Sequence, residues 1–373
     1  MKYRDFGNTG IKISALGFGA MRLPEFEKDG KWYIDEEKAI AAFHRAFELG
    51  VNYVDTAYFY CHGNSEYTVG KALKGYRDKV SLSTKIPLGH VKESSDYFRI
   101  LEEQMKKLDV DCIDFYHFHG IGIGAYKDII QKFDLLNMAS KAKQQGLIKH
   151  ISFSFHDVPS AMKELVDTGA FESVLCQYNL LDRSNEEAIS YAKAKGLGTI
   201  VMGPVGGGRL AHPSELFINK LGESAKSTPE LAMRFVTSNP DICCALSGMS
   251  TIEMVEQNAA IASIEEPLSK EELNKIEQML AETKELANLY CTGCSYCMPC
   301  PMEIKIPDVF QKMINHKVYK LTESAKADFK NFGTNPWFGA HPSKCIECGQ
   351  CLEKCPQKIN IPERLKEVIA ELS

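Results

Sequence analysis

The chain has 373 residues, 44% apolar and 25% charged, with a formal net charge of −5. That balance belongs to a globular protein with a sizeable core, long enough for one barrel of about 250 residues and a smaller module. No basic stripe marks a nucleic-acid partner and no apolar run reaches membrane-spanning length, so neither kind of partner is expected.

From the start, residues 1–20 alternate around Asn8, Thr9 and Gly10 and predict a hairpin, with Ala15–Met21 as the first strand of a larger series. They lack the charged start and long apolar run of a secretion signal, and a cytoplasmic location is expected. A helix follows over 35–49, with Asp35 as its N-cap. Strands are predicted at 51–56, 80–85, 112–118, 148–154, 173–178, 198–203 and 242–247. Helices fall between and after them, at 65–74, 94–108, 127–145, 157–168, 185–195, 229–238 and 251–262. Eight strand–helix pairs predict a parallel sheet closed into an (α/β)8 TIM-type barrel, with an open doubly wound sheet as the alternative. A charged helix over 269–286 leads out, so the barrel is assigned to residues 1–285 and a C-terminal module to 286–373.

Thirteen cysteines are present, and eight of them crowd the last 83 residues in two runs. Cys291, Cys294, Cys297 and Cys300 form one run; Cys345, Cys348, Cys351 and Cys355 form the other. Each run ends in Cys-Pro-x-x-Ile-x-Ile-Pro, an internal duplication. The second has the C-x2-C-x2-C-x3-C-P spacing of bacterial ferredoxins, in which the fourth cysteine serves the partner cluster; the first is one residue shorter before Cys300. In a reducing compartment such runs predict metal ligation, not disulfides. Zinc is the alternative, but eight cysteines in two four-member runs suit two [4Fe-4S] clusters better. The module is therefore expected to be a small, mainly α-helical, two-cluster ferredoxin-like domain.

Three barrel strands end in an ionisable residue: Asp55 after V-N-Y-V, Lys85 after V-S-L-S-T, and His119 after D-C-I-D-F-Y-H-F. Tyr60 follows Asp55 by five residues. Strand C-termini share one face of such a barrel, so these four side chains are expected to converge there. Together they read as a proton-donor site, although a free tyrosine, with a pKa of ~10, gives up a proton reluctantly at neutral pH. An adjacent ammonium lowers that value. Tyr60 is accordingly the candidate acid, Lys85 and Asp55 its tuning pair, and His119 the donor that orients the substrate oxygen.

D-T-A-x-x-Y at Asp55–Tyr60, S-E at Ser65–Glu66, T-K at Thr84–Lys85 and D-x-Y-x-x-H at Asp114–His119 resemble the aldo/keto reductase family. With the cysteine runs, the whole chain resembles the members carrying a C-terminal 4Fe-4S domain. The resemblance implies NAD(P)H as cofactor, a small carbonyl substrate, and an oxidoreductase forming an alcohol. It places Ser154 and Gln177 at the nicotinamide amide, Gly203 and Gly206 at the pyrophosphate, and Gly248, Ser250, Gln257 and Asn258 at the adenosine end. No Lys or Arg lies between Ser247 and Asn258, which predicts a cofactor preference that is weak or tilted toward NADH, with Arg209 or Arg234 as the alternative cations for a 2′-phosphate. The competing reading is an iron–sulfur electron-transfer protein with a redox partner, its barrel a docking or regulatory body. A third role for the clusters is to staple a module too small for a strong core.

Overall fold

The computed structural model describes residues 1–211, 214, 217, 225–288, 291, 293, 295–355 and 359–373. Two short strands open the chain, β1 (Tyr3–Asp5) and β2 (Lys12–Ser14), paired antiparallel. The barrel strands follow in sequence: β3 (Leu16–Gly19), β6 (Tyr53–Asp55), β7 (Ser81–Ile86), β8 (Ile113–Ile121), β9 (Ile148–Phe155), β10 (Ser173–Gln177), β11 (Gly198–Met202) and β12 (Cys244–Ser247). All neighbours pair in parallel, and β12 pairs with β3 to close the barrel. The alternation of strands and helices thus gives the closed sheet and not the open one. Period-2 geometry turns Tyr53, Phe115, Leu175, Ile200, Cys244 and Leu246 inward, where they form one buried cluster with Phe6 and Ile13. Phe6, from the β1–β2 hairpin, packs against Gly198 so closely that a Cβ there would lie 2.2 Å from its ring.

The helices between the barrel strands are α1 (Glu36–Glu48), α2 (Ser65–Ala72), α3 (Asp96–Leu108), α4 (Leu135–Gln144), α5 (Pro159–Asp167), α6 (Glu186–Ala194), α7 (Thr228–Ser238) and α8 (Ile252–Ala262). Asp35 caps α1 as expected, accepting from the Lys38 amide at 3.2 Å. The structure differs from expectation in two places. The helix predicted over 127–145 is interrupted: a π-helical turn at Tyr126–Gln131 gives way to Asp134 in the left-handed region, and only then does α4 begin. An unforeseen hairpin, β4 (Glu25–Lys28) with β5 (Lys31–Ile34), is inserted between β3 and α1 and turns at Asp29 and Gly30, both at positive φ.

The chain divides into two compact units, residues 1–206 with 232–267, and residues 207–231 with 268–373. The second contains α9 (Lys270–Asn288), α10 (Ile306–Lys317), α11 (Thr322–Phe329), α12 (Gln350–Lys354) and α13 (Ile361–Leu372). The duplicated Ile-x-Ile-Pro segments open α10 and α13, each with proline in its first turn, where the missing N–H has no helical partner to lose. Ile304, Ile306 and Ile361 from the two copies are buried together with Phe310, Met313, Phe329, Phe332, Leu365 and Val368. No described helix is long and apolar enough to cross a membrane.

Candidate active site and cysteine cavity

Asp55 ends β6, Lys85 lies near the end of β7, and His119 lies on β8; the three strands are adjacent, which brings the side chains together. Lys85 Nζ donates to Asp55 Oδ2 at 2.6 Å, to the Thr56 carbonyl at 2.7 Å and to the Tyr60 hydroxyl at 3.3 Å. Its three protons are therefore committed. Ser83, two residues earlier on the same strand face, donates to the other Asp55 oxygen at 2.6 Å. The His119 ring meets the Tyr60 ring edge-on, with centroids 6.1 Å apart and planes at 84°.

The electrostatics follow from burial and the single ammonium. Burial lowers the Lys85 pKa, but the Asp55 carboxylate and Tyr60 outweigh it and the net shift is upward, so Lys85 stays charged. Burial, reinforced by Lys85, holds His119 at about 3, so the ring is neutral at physiological pH and can donate one hydrogen bond. For Tyr60 the direction corrects the sequence expectation. Lys85 does pull the phenol down, but burial is larger, Asp55 adds to it, and the net shift is upward. Tyr60 in the free protein keeps its proton more firmly than a free tyrosine does.

Behind Lys85 stands a buried network that sequence motifs did not reveal. Glu66 Oε1 accepts from Thr84 at 2.7 Å and from Gln104 at 2.6 Å, and Gln104 also donates to the Lys85 carbonyl at 3.0 Å. Tyr116 donates to Gln104 Oε1 at 2.7 Å. Ser83 was within reach of sequence reasoning, because alternation along β7 puts it on the Lys85 face. Gln104, on α3, carries no such signal.

Residues expected on the cofactor side line up along the ends of β9 to β12. Ser154 is buried and accepts from the Gly120 amide at 2.7 Å. Gln177 lies against Gly203, whose φ is +64° and where a Cβ would fall 2.7 Å from Gln177 Nε2; glycine there leaves room for the Gln177 amide. Gly206, also at positive φ, donates to the Gly203 carbonyl at 2.8 Å. Asn258 donates to Ser247 Oγ at 3.1 Å, Ser250 lies 3.5 Å from Met254 Sδ, and Gln257 is exposed beside them on α8. A cation does reach this edge, from a different strand. The stem of Arg22, just past β3, would lie 3.4–3.8 Å from a Cβ at Gly248, and its guanidinium is exposed without an ion-pair partner among the described residues.

In the C-terminal unit Cys297 and Cys300 of the first run line one cavity with Cys345, Cys348 and Cys351 of the second, although 45 positions separate Cys300 from Cys345. Burial, together with the neighbouring Cys345, Cys348 and Cys300 thiols, pushes the Cys351 thiol up. Among the described residues no three His, Cys, Asp or Glu side chains close on a point as one ion would require. Cysteines of both runs around one cavity suit a cubane, which spreads its ligands over four irons. Cys355 is buried in the hydrophobic core of this unit, against which Cys291, Cys297, Cys300, Cys345 and Cys351 all pack. Cys294 lies outside the described residues.

A closed eight-stranded barrel with a buried lysine–aspartate pair beneath a tyrosine is the framework of a barrel oxidoreductase. Residues 15–281 match the aldo/keto reductase family model, and the chain belongs to that family. Residues 290–359 match the model of a 4Fe-4S dicluster domain. The chain is 29% identical to L-galactose dehydrogenase of Arabidopsis thaliana over 315 residues, covering 77% of this chain and 96% of that protein. An aldo-keto reductase of Bacillus halodurans in its holo form superimposes with a TM-score of 0.65 at 28% identity, over 75% of this chain and 96% of that one. An aldo/keto reductase of Klebsiella pneumoniae, solved in complex with NADP and acetate, gives 0.63 at 25% identity, over 75% of this chain and 95% of the other.

Proposed function

We propose that this enzyme reduces a small carbonyl compound to an alcohol with NAD(P)H and carries two [4Fe-4S] clusters, in a cytoplasmic setting that keeps its thiols reduced. The observation that carries the reading is the placement of Lys85 Nζ between Asp55 and the Tyr60 hydroxyl, 2.6 and 3.3 Å away. Tyr60 donates its proton to the oxygen of the reduced substrate, and Lys85, held by Asp55, stabilises the phenolate left behind. Neutral His119 donates to the same oxygen and orients it. The Gln177 side-chain amide, seated against Gly203, offers a donor and an acceptor to a planar amide, and Ser154 lies on the adjacent strand. When bound, the nicotinamide supplies the hydride. Gly203 and Gly206 are assigned to its pyrophosphate, and Gly248, Ser250, Gln257 and Asn258 to its adenosine. The test is nucleotide oxidation with a panel of aldehydes and ketones, for the parent and for Tyr60→Phe. Loss of about two orders of magnitude in reduction with nucleotide affinity retained supports the assignment, and parental rates sink it.

Electron exchange with a protein partner is a second reading, favoured by one observation. Cys348 is exposed and Ile346, two residues before it, is 61% exposed, so a cluster on these cysteines would lie near the surface. A cluster passes single electrons and a nicotinamide two at once as hydride, so this reading requires a separate route. Cluster bleaching by a reduced ferredoxin without carbonyl or nucleotide would support it.

A further inference from the structure

The turn that carries Tyr60 is unusual. Between Tyr60 and Gly63 both Cys61 (φ 49°, ψ 54°) and His62 (φ 55°, ψ 29°) adopt left-handed backbone. Two consecutive residues with side chains hold that conformation only where their surroundings fix it. Cys61 is buried, its thiol 3.7 and 3.6 Å from the carbonyls of Ala20 and Met21. His62, its side chain 58% exposed, meets the inserted hairpin. Its ring stacks on Trp32 of β5, centroids 5.9 Å apart and planes within 12°. Its Nε2 lies 3.9 Å from Glu25 Oε1 of β4, and that oxygen is buried without a hydrogen-bond partner.

The hairpin itself has little else to do for the fold. Phe26, Trp32 and Tyr33 remain 46%, 46% and 43% exposed, and of its strand residues only Ile34 is buried. An insertion that leaves three aromatic residues in solvent while touching the turn of the proton donor is placed for that turn.

We infer that the β4–β5 hairpin is a clamp that sets the position of Tyr60, with Trp32 and Glu25 acting through His62 as positioning residues. The inference rests on Tyr60 being the proton donor. The Tyr60–Lys85 contact is already long at 3.3 Å. Releasing His62 would let the turn relax towards right-handed backbone and carry the phenol away from Lys85. Tyr60 faces Lys85, Asp55 and His119, and of these only Lys85 favours its deprotonated form directly, so a loosened contact moves the alkaline fall in rate to higher pH.

The experiment uses the full chain with its clusters, 4-nitrobenzaldehyde as probe and both nicotinamides. Trp32→Ala is expected to lower kcat about 10- to 100-fold, the scale of a small misplacement of a reacting group, with KM and nucleotide Kd within about twofold. Its alkaline limb should move upward, and Trp32→Phe should restore most of the rate. His62→Gly removes the backbone strain but also the stack, and should fall as far as Trp32→Ala. Should Trp32→Ala fail to fold, His62→Gly carries the test alone. Parental kcat in the folded variant, or a raised KM with kcat unchanged, overturns the clamp. Tyr60→Phe is measured alongside. If it is as active as the parent, the proton-donor assignment falls and the clamp with it; if it is inactive while Trp32→Ala and His62→Gly are not impaired, only the clamp falls.

Discussion

Lys85 Nζ and Asp55 Oδ2 lie 2.6 Å apart with side chains only 1% and 4% exposed, so each charge depends on the other for what water no longer supplies. Removing one partner of such a pair typically costs about 3–5 kcal/mol, because the survivor is left buried and uncompensated. Lys85→Met is therefore expected to lose about that much stability together with its activity. The double variant Asp55→Asn/Lys85→Met should recover much of the stability in urea unfolding and none of the reduction rate. Equal instability of single and double variants would mean that the site tolerates no apolar replacement at all.

The rate of reduction should be insensitive to pH through the neutral range. Tyr60 acts in its protonated form, and its raised pKa moves the alkaline loss above the ordinary value of 10.0. His119 acts in its neutral form and takes up a proton only near 3. A kcat profile between pH 5 and 9 should then show neither limb. An inflection near 6.5 that disappears in His119→Gln would contradict the neutral assignment.

Acid should instead attack the fold, through the second buried histidine. His117, two residues before His119 on β8, is fully buried, and burial followed by Lys85, against a smaller opposing pull from the Phe153 backbone, lowers its pKa from 6.5 to about 3. Below 6.5 the unfolded chain binds a proton that the folded chain refuses until about 3. Stability is thus complete above 6.5 and lost as pH falls through that window, by about 1.4 kcal/mol per pH unit from this residue. His117→Gln should show a shallower slope of unfolding free energy between pH 6 and 4; an unchanged slope would assign the loss to other groups.

How much of this was legible varies with the range of the signal. The barrel could be read because strand and helix periods are local, and the tetrad because a polar residue ending each apolar run is local too. The β4–β5 hairpin could also have been read: Asp29-Gly30 is a strong turn dipeptide, but its flanks E-F-E-K and K-W-Y-I face solvent and lack a buried alternation. The interruption before α4 was hidden because Asp134 in the left-handed region leaves no mark on the apolar pattern. Gln104 and Arg22 were not legible at all, since each matters through contacts made far along the chain. The net direction of the Tyr60 shift also escaped, because burial is set by the whole fold and Lys85 by one neighbour.

Arg22 changes the expectation for cofactor choice. The segment between Ser247 and Asn258 has no cation, yet the Arg22 stem packs where a Cβ on Gly248 would touch it. An arginine there can pair with a phosphate in two-pronged fashion. Arg22→Ala should weaken NADPH binding about tenfold and leave NADH within about twofold, as fluorescence titration would read it. Equal losses for the two nucleotides would place Arg22 on the shared pyrophosphate, and no loss for either would remove it from the cofactor site.

The cavity in which Cys297 and Cys300 meet Cys345, Cys348 and Cys351 raises the question of ligand exchange between the two cysteine runs. If the fourth cysteine of each run serves the other run's cluster, Cys291, Cys294, Cys297 and Cys355 belong together, and Cys300 belongs with Cys345, Cys348 and Cys351. Pairs of substitutions separate this arrangement from one in which each run holds its own cluster. Cys355→Ser alone should leave about half of the iron and sulfide, provided the damaged cluster is lost completely. Adding Cys291→Ser strikes the same cluster and should cost no more iron, whereas adding Cys345→Ser strikes the remaining one and should leave almost none. With uncrossed ligation the two double variants exchange outcomes: Cys355→Ser/Cys345→Ser keeps half of its iron and Cys355→Ser/Cys291→Ser loses it all. Iron and sulfide assays on protein purified without oxygen decide between them, and the electron paramagnetic resonance of the reduced half-loaded protein should simplify to a single uncoupled cluster.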